Sequence, residues 1–264
     1  MPAVIVDGSY YVFWRLHALY AWYQRARRAD EPDDPRESVR VREKFVSTFA
    51  APLETLFKRE GWNISTLYVA KDCPQKEIWR HQVVKEYKAG RKARPEVAAY
   101  MTAAYQGGLF ETLGPDLIVE WPGLEADDCA ALLTKRLLES TDKSIIIITG
   151  DKDYLQLCCD RVQVWNMNGG GKCLDPGDAK RYLLEKILIG DKSDNIRGVC
   201  GKARADTLLA PLAGVERDEW FTDLRSRLTP EEQSTFDINH RVVAFESIPH
   251  PLRSGFLAAH AHVL

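Results

Sequence analysis

Apolar positions along this chain follow two alternating periods. Short runs rich in β-branched and aliphatic side chains fall at Ala3–Val6, Thr66–Ala70, Leu117–Glu120, Ile145–Thr149 and Val162–Asn166, and these predict strands. Helical spacing fills much of the sequence between them, over roughly Tyr10–Arg27, Val39–Arg59, Ala126–Glu139 and Lys152–Cys158. A strand as uniformly apolar as Ile145–Ile148 is expected where helices cover both faces of a parallel sheet, because neither face then meets water. Asp30–Arg36, rich in Pro and Asp, reads as an exposed loop. From about Asp178 the strand signals stop, and helical patterns alternate with breaks at Gly190, Gly198, Gly201, Pro230 and Pro249. The expectation is an α/β core over residues 1–177 with a mostly parallel central sheet, and a helical portion over residues 178–264 packed on it as one compact unit.

The carboxylates fall in a pattern that this topology makes meaningful. Asp7 and Asp72 follow the first and second strands, Glu125, Asp127 and Asp128 follow the third, and Asp151 and Asp153 follow Ile145–Thr149. Ligands of parallel α/β sheets bind beyond the carboxyl ends of the strands, so separate strands deliver acids to one edge. Such crowding is costly: two like charges about 4 Å apart repel by about 4 kcal/mol at an effective dielectric near 20. Hard divalent cations remove the conflict, and an oxygen-only donor set favours Mg²⁺ or Mn²⁺ over zinc. Taken singly, each acid has a plainer reading. Asp7 could be a turn residue, Glu125 to Asp128 ordinary acids of a helix's first turn, and Asp151 a helix cap. Asp191 and Asp194, three residues apart in the helical portion, could aim together at a second metal position or form a solvated turn.

Composition narrows the setting. Hydrophobic residues make up 45% and charged residues 28%, as in an ordinary globular protein, and no apolar run approaches the length of a membrane span. Six scattered cysteines form no Cys-x-x-Cys pair, and the N-terminus lacks the pattern of a signal peptide. Free thiols in a reducing cytoplasm, and a monomer, are the expectation. His250, His260 and His262 read as surface histidines rather than metal ligands. The formal net charge of −2 hides a strongly basic stretch: Lys76, Arg80, Lys85, Lys88, Arg91, Lys92 and Arg94, against only Glu77 and Glu86. If this stretch is helical, His81, Lys85, Lys88 and Lys92 share one face. With Trp79 and Tyr87 nearby it has the cation-and-ring composition of a single-strand nucleic-acid contact, whereas a merely solvated helix would mix in more acids.

Four stretches then stand out as a set: Val6-Asp7-Gly8, Glu125-Ala126-Asp127-Asp128, Thr149-Gly150-Asp151-Lys152-Asp153-Tyr154-Leu155-Gln156-Leu157, and Gly190-Asp191-Lys192-Ser193-Asp194-Asn195-Ile196-Arg197-Gly198-Val199. In composition and order the chain resembles the 5′-nucleases, which include phage flap endonucleases and the 5′-nuclease domain of bacterial family A DNA polymerases. The resemblance implies a PIN-like core and two metal ions, with Asp7, Asp72, Glu125, Asp127 and Asp128 around one and Asp151, Asp153, Asp191 and Asp194 around the other. It implies a basic helical arch at about residues 75–107, in which Glu86-Tyr87-Lys88-Ala89-Gly90-Arg91 faces the metals, with Lys88 and Arg91 on the scissile phosphate and Tyr87 stacked on a base. Asp151 joins Lys88 and Arg91 in the set assigned to catalysis, and Arg80, Lys85 and Lys92 join the DNA contacts. It also implies a helix–turn–helix grip on duplex DNA through Gly198, Gly201, Lys202 and Arg204, with K⁺ nearby. Relatives carry Gly-Val-x-Gly-Ile-Gly in that loop, and here it is about two residues shorter. The implied activity is flap endonuclease and 5′→3′ exonuclease cleavage of DNA with 5′ flaps, ends or junctions. A non-catalytic DNA-binding module on the same scaffold, and a nuclease specialised for RNA in RNA–DNA hybrids, are the alternatives.

Overall fold

The computed structural model describes residues 1–92, 94–114, 117–175, 177–214 and 216–261; His262, one of the three histidines read above, lies outside them. Five parallel strands form the sheet: β1 (Ala3–Asp7), β2 (Thr66–Ala70), β3 (Leu117–Val119), β4 (Ile145–Ile148) and β5 (Val162–Asn166). A two-residue antiparallel edge strand, β6 (Lys172–Cys173), completes the order β3-β2-β1-β4-β5-β6. The order reverses between β1 and β4, so the ends of those strands flank a crevice of the kind in which open α/β sheets bind ligands.

Side-chain alternation along the strands assigns the two faces. Val4, Val6, Leu67, Val69, Ile146 and Ile148 pack beneath helices α1 (Gly8–Ala26), α2 (Val39–Ser47), α3 (Ala51–Arg59) and α4 (Pro95–Tyr105). Ile5, Ala70, Ile145, Ile147 and Val164 face α5 (Ala126–Ser140) on the other side. Both faces are therefore dry, which is why β1 up to Val6, and the whole of β4, are apolar. The helical portion holds α6 (Ala179–Ile189), α7 (Lys202–Leu209), α8 (Trp220–Ser226), α9 (Pro230–Val243) and α10 (His250–Ala259). Phe245, Ile248 and Phe256 from this portion join the α5 core, and Leu184, Ile187 and Phe236 form a third core with Cys73, Ile78 and Tyr87.

Four expectations need correction. The pattern over Val39–Arg59 is two helices, because Thr48 closes the first by returning its hydroxyl and its amide to the Lys44 carbonyl, and Pro52 then sits in the first turn of the second, where a missing N–H costs nothing. Lys152–Leu157 is 3₁₀ rather than α. The basic stretch is not one helix: it makes single 3₁₀ turns at Gln75–Glu77 and Trp79–Gln82, then runs through turns, and α-helix begins only at Pro95. Helical phase there would splay Ile78, Trp79 and Tyr87, which are instead all buried, and Lys88 takes a positive φ of 55° that a helix forbids. His260 is not a surface residue: it is buried, with Nδ1 2.8 Å from the Phe256 carbonyl.

Candidate metal centre and nucleic-acid interface

Strand ends and helix starts place the acids. Asp7 closes β1 and caps α1, accepting the Tyr10 amide at 3.0 Å; its other oxygen takes the Thr149 hydroxyl at 3.0 Å and the Tyr154 hydroxyl at 3.2 Å. Burial, followed by the Asp72 carboxylate, pushes its pKa up to about 7. Asp72, just past β2, is fixed at both oxygens, by the Ser9 hydroxyl at 2.6 Å and the Ala126 amide at 2.9 Å. Glu125 and Asp128 form a reciprocal cap at the start of α5, a local reason for that acidic spacing. Burial, then Asp127, raises Glu125 to about 7. Asp151 caps the 3₁₀ turn through the Asp153 amide at 2.9 Å, and burial raises its pKa, with Asp127 adding to the shift. Asp191 accepts the Ser193 amide at 2.7 Å and the Ser193 hydroxyl at 2.6 Å, a turn that carries Asp194 inward.

Two carboxylate groups result in which ligand atoms all lie within 4.8 Å of one another: Glu125, Asp127 and Asp128, and Asp153, Asp191 and Asp194. Asp72 and Asp151 both act electrostatically on Asp7 beside them, and Asp127 acts on both Asp151 and Asp153. Acids from four strand ends and from the helical portion therefore meet at one pole. The donors are hard oxygens, a set that fits divalent cations.

Basic side chains are threaded through this acidic pole. Arg80, 2% exposed, donates to both Asp128 oxygens at 2.7 Å, to Glu125 at 2.9 Å and to the Val242 carbonyl at 2.7 Å. Trp79 adds an indole N–H to Asp128 at 3.0 Å. Lys88 is ion-paired to Glu125, with Asp194 3.8 Å away; burial works against its charge, but Glu125, Asp127 and Asp194 outweigh it and raise its pKa. Arg91 donates to Asp194 at 2.5 Å. Lys186, near the end of α6, pairs with Asp153 and, at 3.1 Å, with Asp191; these partners overcome its burial and raise its pKa. Sequence reasoning passed over Lys186. The available signal was its spacing, five residues before Asp191 at the end of a helix, where a long side chain can reach forward to the same turn.

Three assignments change. Arg80 does not face solvent, because two buried carboxylates hold it, so it is not placed to touch DNA. Tyr87 is 3% exposed, its hydroxyl 3.0 Å from Glu125 and 3.3 Å from Asp194, so its ring has no free face for a base. Asp128 is fully buried with both oxygens taken by Arg80, which makes it a support for Glu125 rather than a free ligand. By contrast Lys85, Arg91, Lys92 and Arg94 are exposed. Arg91, Lys92 and Arg94 line an 850 Å³ cleft with Phe13, His17 and Met101. On the helical portion Gly198 is a packing residue, since a Cβ there would lie 2.2 Å from the Ile189 carbonyl oxygen, whereas Gly201 opens α7 into free space. Lys202 and Arg204 project from α7, held by Glu185 and Asp206 and by Glu232 respectively.

Fold and site together define an α/β protein with an acidic pole at the sheet's switch point, balanced by its own cations. A family model described as 5′-3′ exonuclease, N-terminal resolvase-like domain, matches residues 2–183, and the chain belongs to that family. It is 33% identical over 223 residues to a thermostable DNA polymerase I of Thermus filiformis, covering 81% of this chain and 24% of that protein. It is 27% identical over 206 residues to a 5′-3′ exonuclease of Buchnera aphidicola subsp. Schizaphis graminum, covering 75% of this chain and 65% of that protein. The chain thus spans about a quarter of the polymerase and just under two thirds of the exonuclease. Among solved structures, a T5 protein co-crystallized with metal ions superposes with a TM-score of 0.70 at 19% identity, over 100% of this chain and 99% of the other. A bacteriophage T5 flap endonuclease in a pseudo-enzyme-product complex with DNA and metal ions gives 0.65 at 18% identity, over 100% and 99%. The shared fold is that of the T5 5′-exonuclease.

Proposed function

We propose that this chain is a structure-specific DNA 5′-nuclease, with flap endonuclease and 5′→3′ exonuclease activity, that uses two Mg²⁺ or Mn²⁺ ions. The observation that carries the reading is the meeting of Asp7, Asp72, Glu125, Asp127, Asp151, Asp153, Asp191 and Asp194 at one pole beside exposed cations. Family membership supports it, as do T5 neighbours solved with metal ions and with DNA. Bound divalent ions would supply charge neutralisation of the phosphate and a water acidic enough to attack it. The chain's own residues would do the rest. Lys88 and Arg91, released from Glu125 and Asp194 when ions take over those carboxylates, would hold the oxygens of the scissile phosphate, a kind of contact worth about 10²–10³ in rate. Lys85, Lys92 and Arg94 would guide the single strand, and the α6–α7 turn, with Gly201, Lys202 and Arg204, would take the duplex through phosphate contacts that carry no sequence information. Residues 1–177 would then be the nuclease core and residues 178–264 the duplex grip, which also lends Asp191 and Asp194 to the metal set, the whole acting as a monomer in the cytoplasm of a bacterium or phage-infected cell. A K⁺ site by the shortened 198–201 loop belongs to the same proposal.

The test is cleavage of a 5′-flap, a blunt duplex and an RNA–DNA hybrid across an Mg²⁺ titration. Preferential flap cutting with an absolute metal requirement is expected. Asp151→Asn should abolish cutting while leaving flap affinity nearly intact. Binding without cleavage at every metal concentration would instead make the chain a non-catalytic module, and preference for the hybrid would make it an RNA-directed nuclease.

A further inference from the structure

Among the described residues two outside glycine take a positive φ, Lys88 at 55° and Asn195 at 60°, and the turn that carries one is bonded to the loop that carries the other. In that left-handed region the Cβ of an L-residue crowds the following carbonyl, so a lysine adopts it only where its surroundings require it. Lys88 is held at both of its peptide groups. Its N–H donates to the Asp194 carbonyl at 2.9 Å, and its carbonyl accepts from the Arg91 amide at 3.0 Å and from the Gln75 side chain at 3.3 Å. Asn195 closes the contact from the other side, its Nδ2 donating to the Glu86 carbonyl at 3.0 Å and to the Glu86 carboxylate at 3.4 Å. The Asn195 loop is itself pinched shut, since Asp191 and Ile196 exchange both backbone bonds, at 2.9 and 2.7 Å.

The residue type at position 195 answers two demands. Left-handed backbone admits glycine, asparagine and aspartate most readily, and of these only asparagine brings a side-chain N–H. Glycine would keep the turn and lose the donor, and aspartate would set a carboxylate against the Glu86 carbonyl and carboxylate. The Lys88 side chain shows what the clasp achieves. Its ammonium runs to the carboxylates, ion-paired to Glu125 with Asp194 3.8 Å away, while Lys85 and Lys92 on either side of it in the chain stay exposed. Helical or extended backbone at Lys88 would send that side chain in another direction. The same loop supplies the Asp194 carboxylate, so one piece of backbone sets both an acid and a cation of the pole.

We propose that Asn195 is a positioning residue for Lys88: by clasping the 86–88 turn it holds Lys88 in left-handed backbone and aims the ammonium into the pole, where the scissile phosphate is to be bound. The inference rests on the proposed contact of Lys88 with that phosphate, and its test separates the two. Misplacing a group at the reacting centre by about 1 Å can cost about 10²-fold in rate. Asn195→Gly should therefore slow single-turnover cleavage of a 5′-flap duplex in Mg²⁺ by about 10-fold to 100-fold, while flap affinity measured in chelator stays within about twofold of the wild type. Asn195→Asp, which also keeps the backbone, should be slowed at least as much. In a Lys88→Ala background Asn195→Gly should add no further loss, because both act through one ammonium. Without DNA or metal, the Lys88 amide of Asn195→Gly should exchange its hydrogen about fivefold faster, the weight of one ordinary hydrogen bond. An Asn195→Gly chain that cuts at the wild-type rate, or whose loss adds in full to that of Lys88→Ala, overturns the proposal even if its melting temperature falls, since that marks a packing role only. So does an unchanged exchange rate at Lys88. A Lys88→Ala chain that cuts as fast as the wild type refutes the phosphate contact itself, and with it what the clasp would serve.

Discussion

Replacing Arg80 by Met removes a buried cation of similar length and leaves its partners in place. Four hydrogen bonds are lost, three of them to the carboxylates of Asp128 and Glu125, which are fully and nearly fully buried. Breaking a buried ion pair from one side typically costs about 3–5 kcal/mol, because the remaining charge has no solvent to turn to. Set against a total stability of about 5–15 kcal/mol, this is a large fraction. For a chain of 264 residues it corresponds to a fall in melting temperature of about 5–9 °C. The loss should also depend on pH. Without Arg80, the Asp128 carboxyl is free to take up a proton in acid, so the variant suffers less at pH 5.5 than at pH 8. Urea denaturation in the presence of a chelator, at both pH values, measures this directly. Arg80→Met/Asp128→Asn should regain more than half of the loss, since the amide still accepts from Trp79 and the α5 cap but carries no charge. A single variant within about 1 kcal/mol of the wild type at pH 8, or an equal loss at both pH values, would refute the view that Arg80 is the buried counter-ion of this network.

Two further outcomes follow from the geometry. Asp7 and Glu125, raised to about 7, and Asp153, raised to about 6, hold protons in the folded state that the unfolded chain has already released. Their contribution to metal-free stability is therefore complete in acid and is lost as pH climbs from the ordinary carboxylate range through about 7, so thermal scans with chelator should show stability falling from pH 5 to pH 8, and saturating Mg²⁺ should flatten the slope; a slope of the opposite sign would contradict the assignment. Gly198→Ala drives a methyl group into the Ile189 backbone and should cost about 1–3 kcal/mol or more, whereas Gly201→Ala enters open space and should change stability by less than about 0.5 kcal/mol while weakening duplex affinity in an anisotropy titration; equal stabilities for the two would show that the loop relaxes freely.

The strands were legible because each is a short apolar run bounded by polar turns, and Thr66–Ala70 and Val162–Asn166 match the expected bounds to the residue. Edge strand β6, two residues long, carries too little pattern to be seen. The break inside Val39–Arg59 was readable from Pro52, which hydrophobic periodicity alone ignores. At the site, the acids were legible because chain order and parallel topology together fix which loops share an edge. Two of their cationic partners, Arg80 and Lys186, were not. Arg80 lies 48 residues from Asp128 and Lys186 lies 33 from Asp153, and nothing in local spacing says which surface-type side chain will turn inward. Charge imbalance in the basic stretch suggested solvent and DNA. The structure divides that stretch, sending Arg80 and Lys88 inward and leaving Lys85, Lys92 and Arg94 outside.

The ammonium of Lys186 between Asp153 and Asp191 has a consequence for the order of events in a newly made chain. A pole that carries its own neutralising groups need not wait for ions before it closes, unlike small zinc domains that stay unfolded until loaded. Assembly and loading would then be separate steps, so stripping any ions should leave a standing scaffold that accepts them again, with Lys186 a tethered competitor for Asp153 and Asp191.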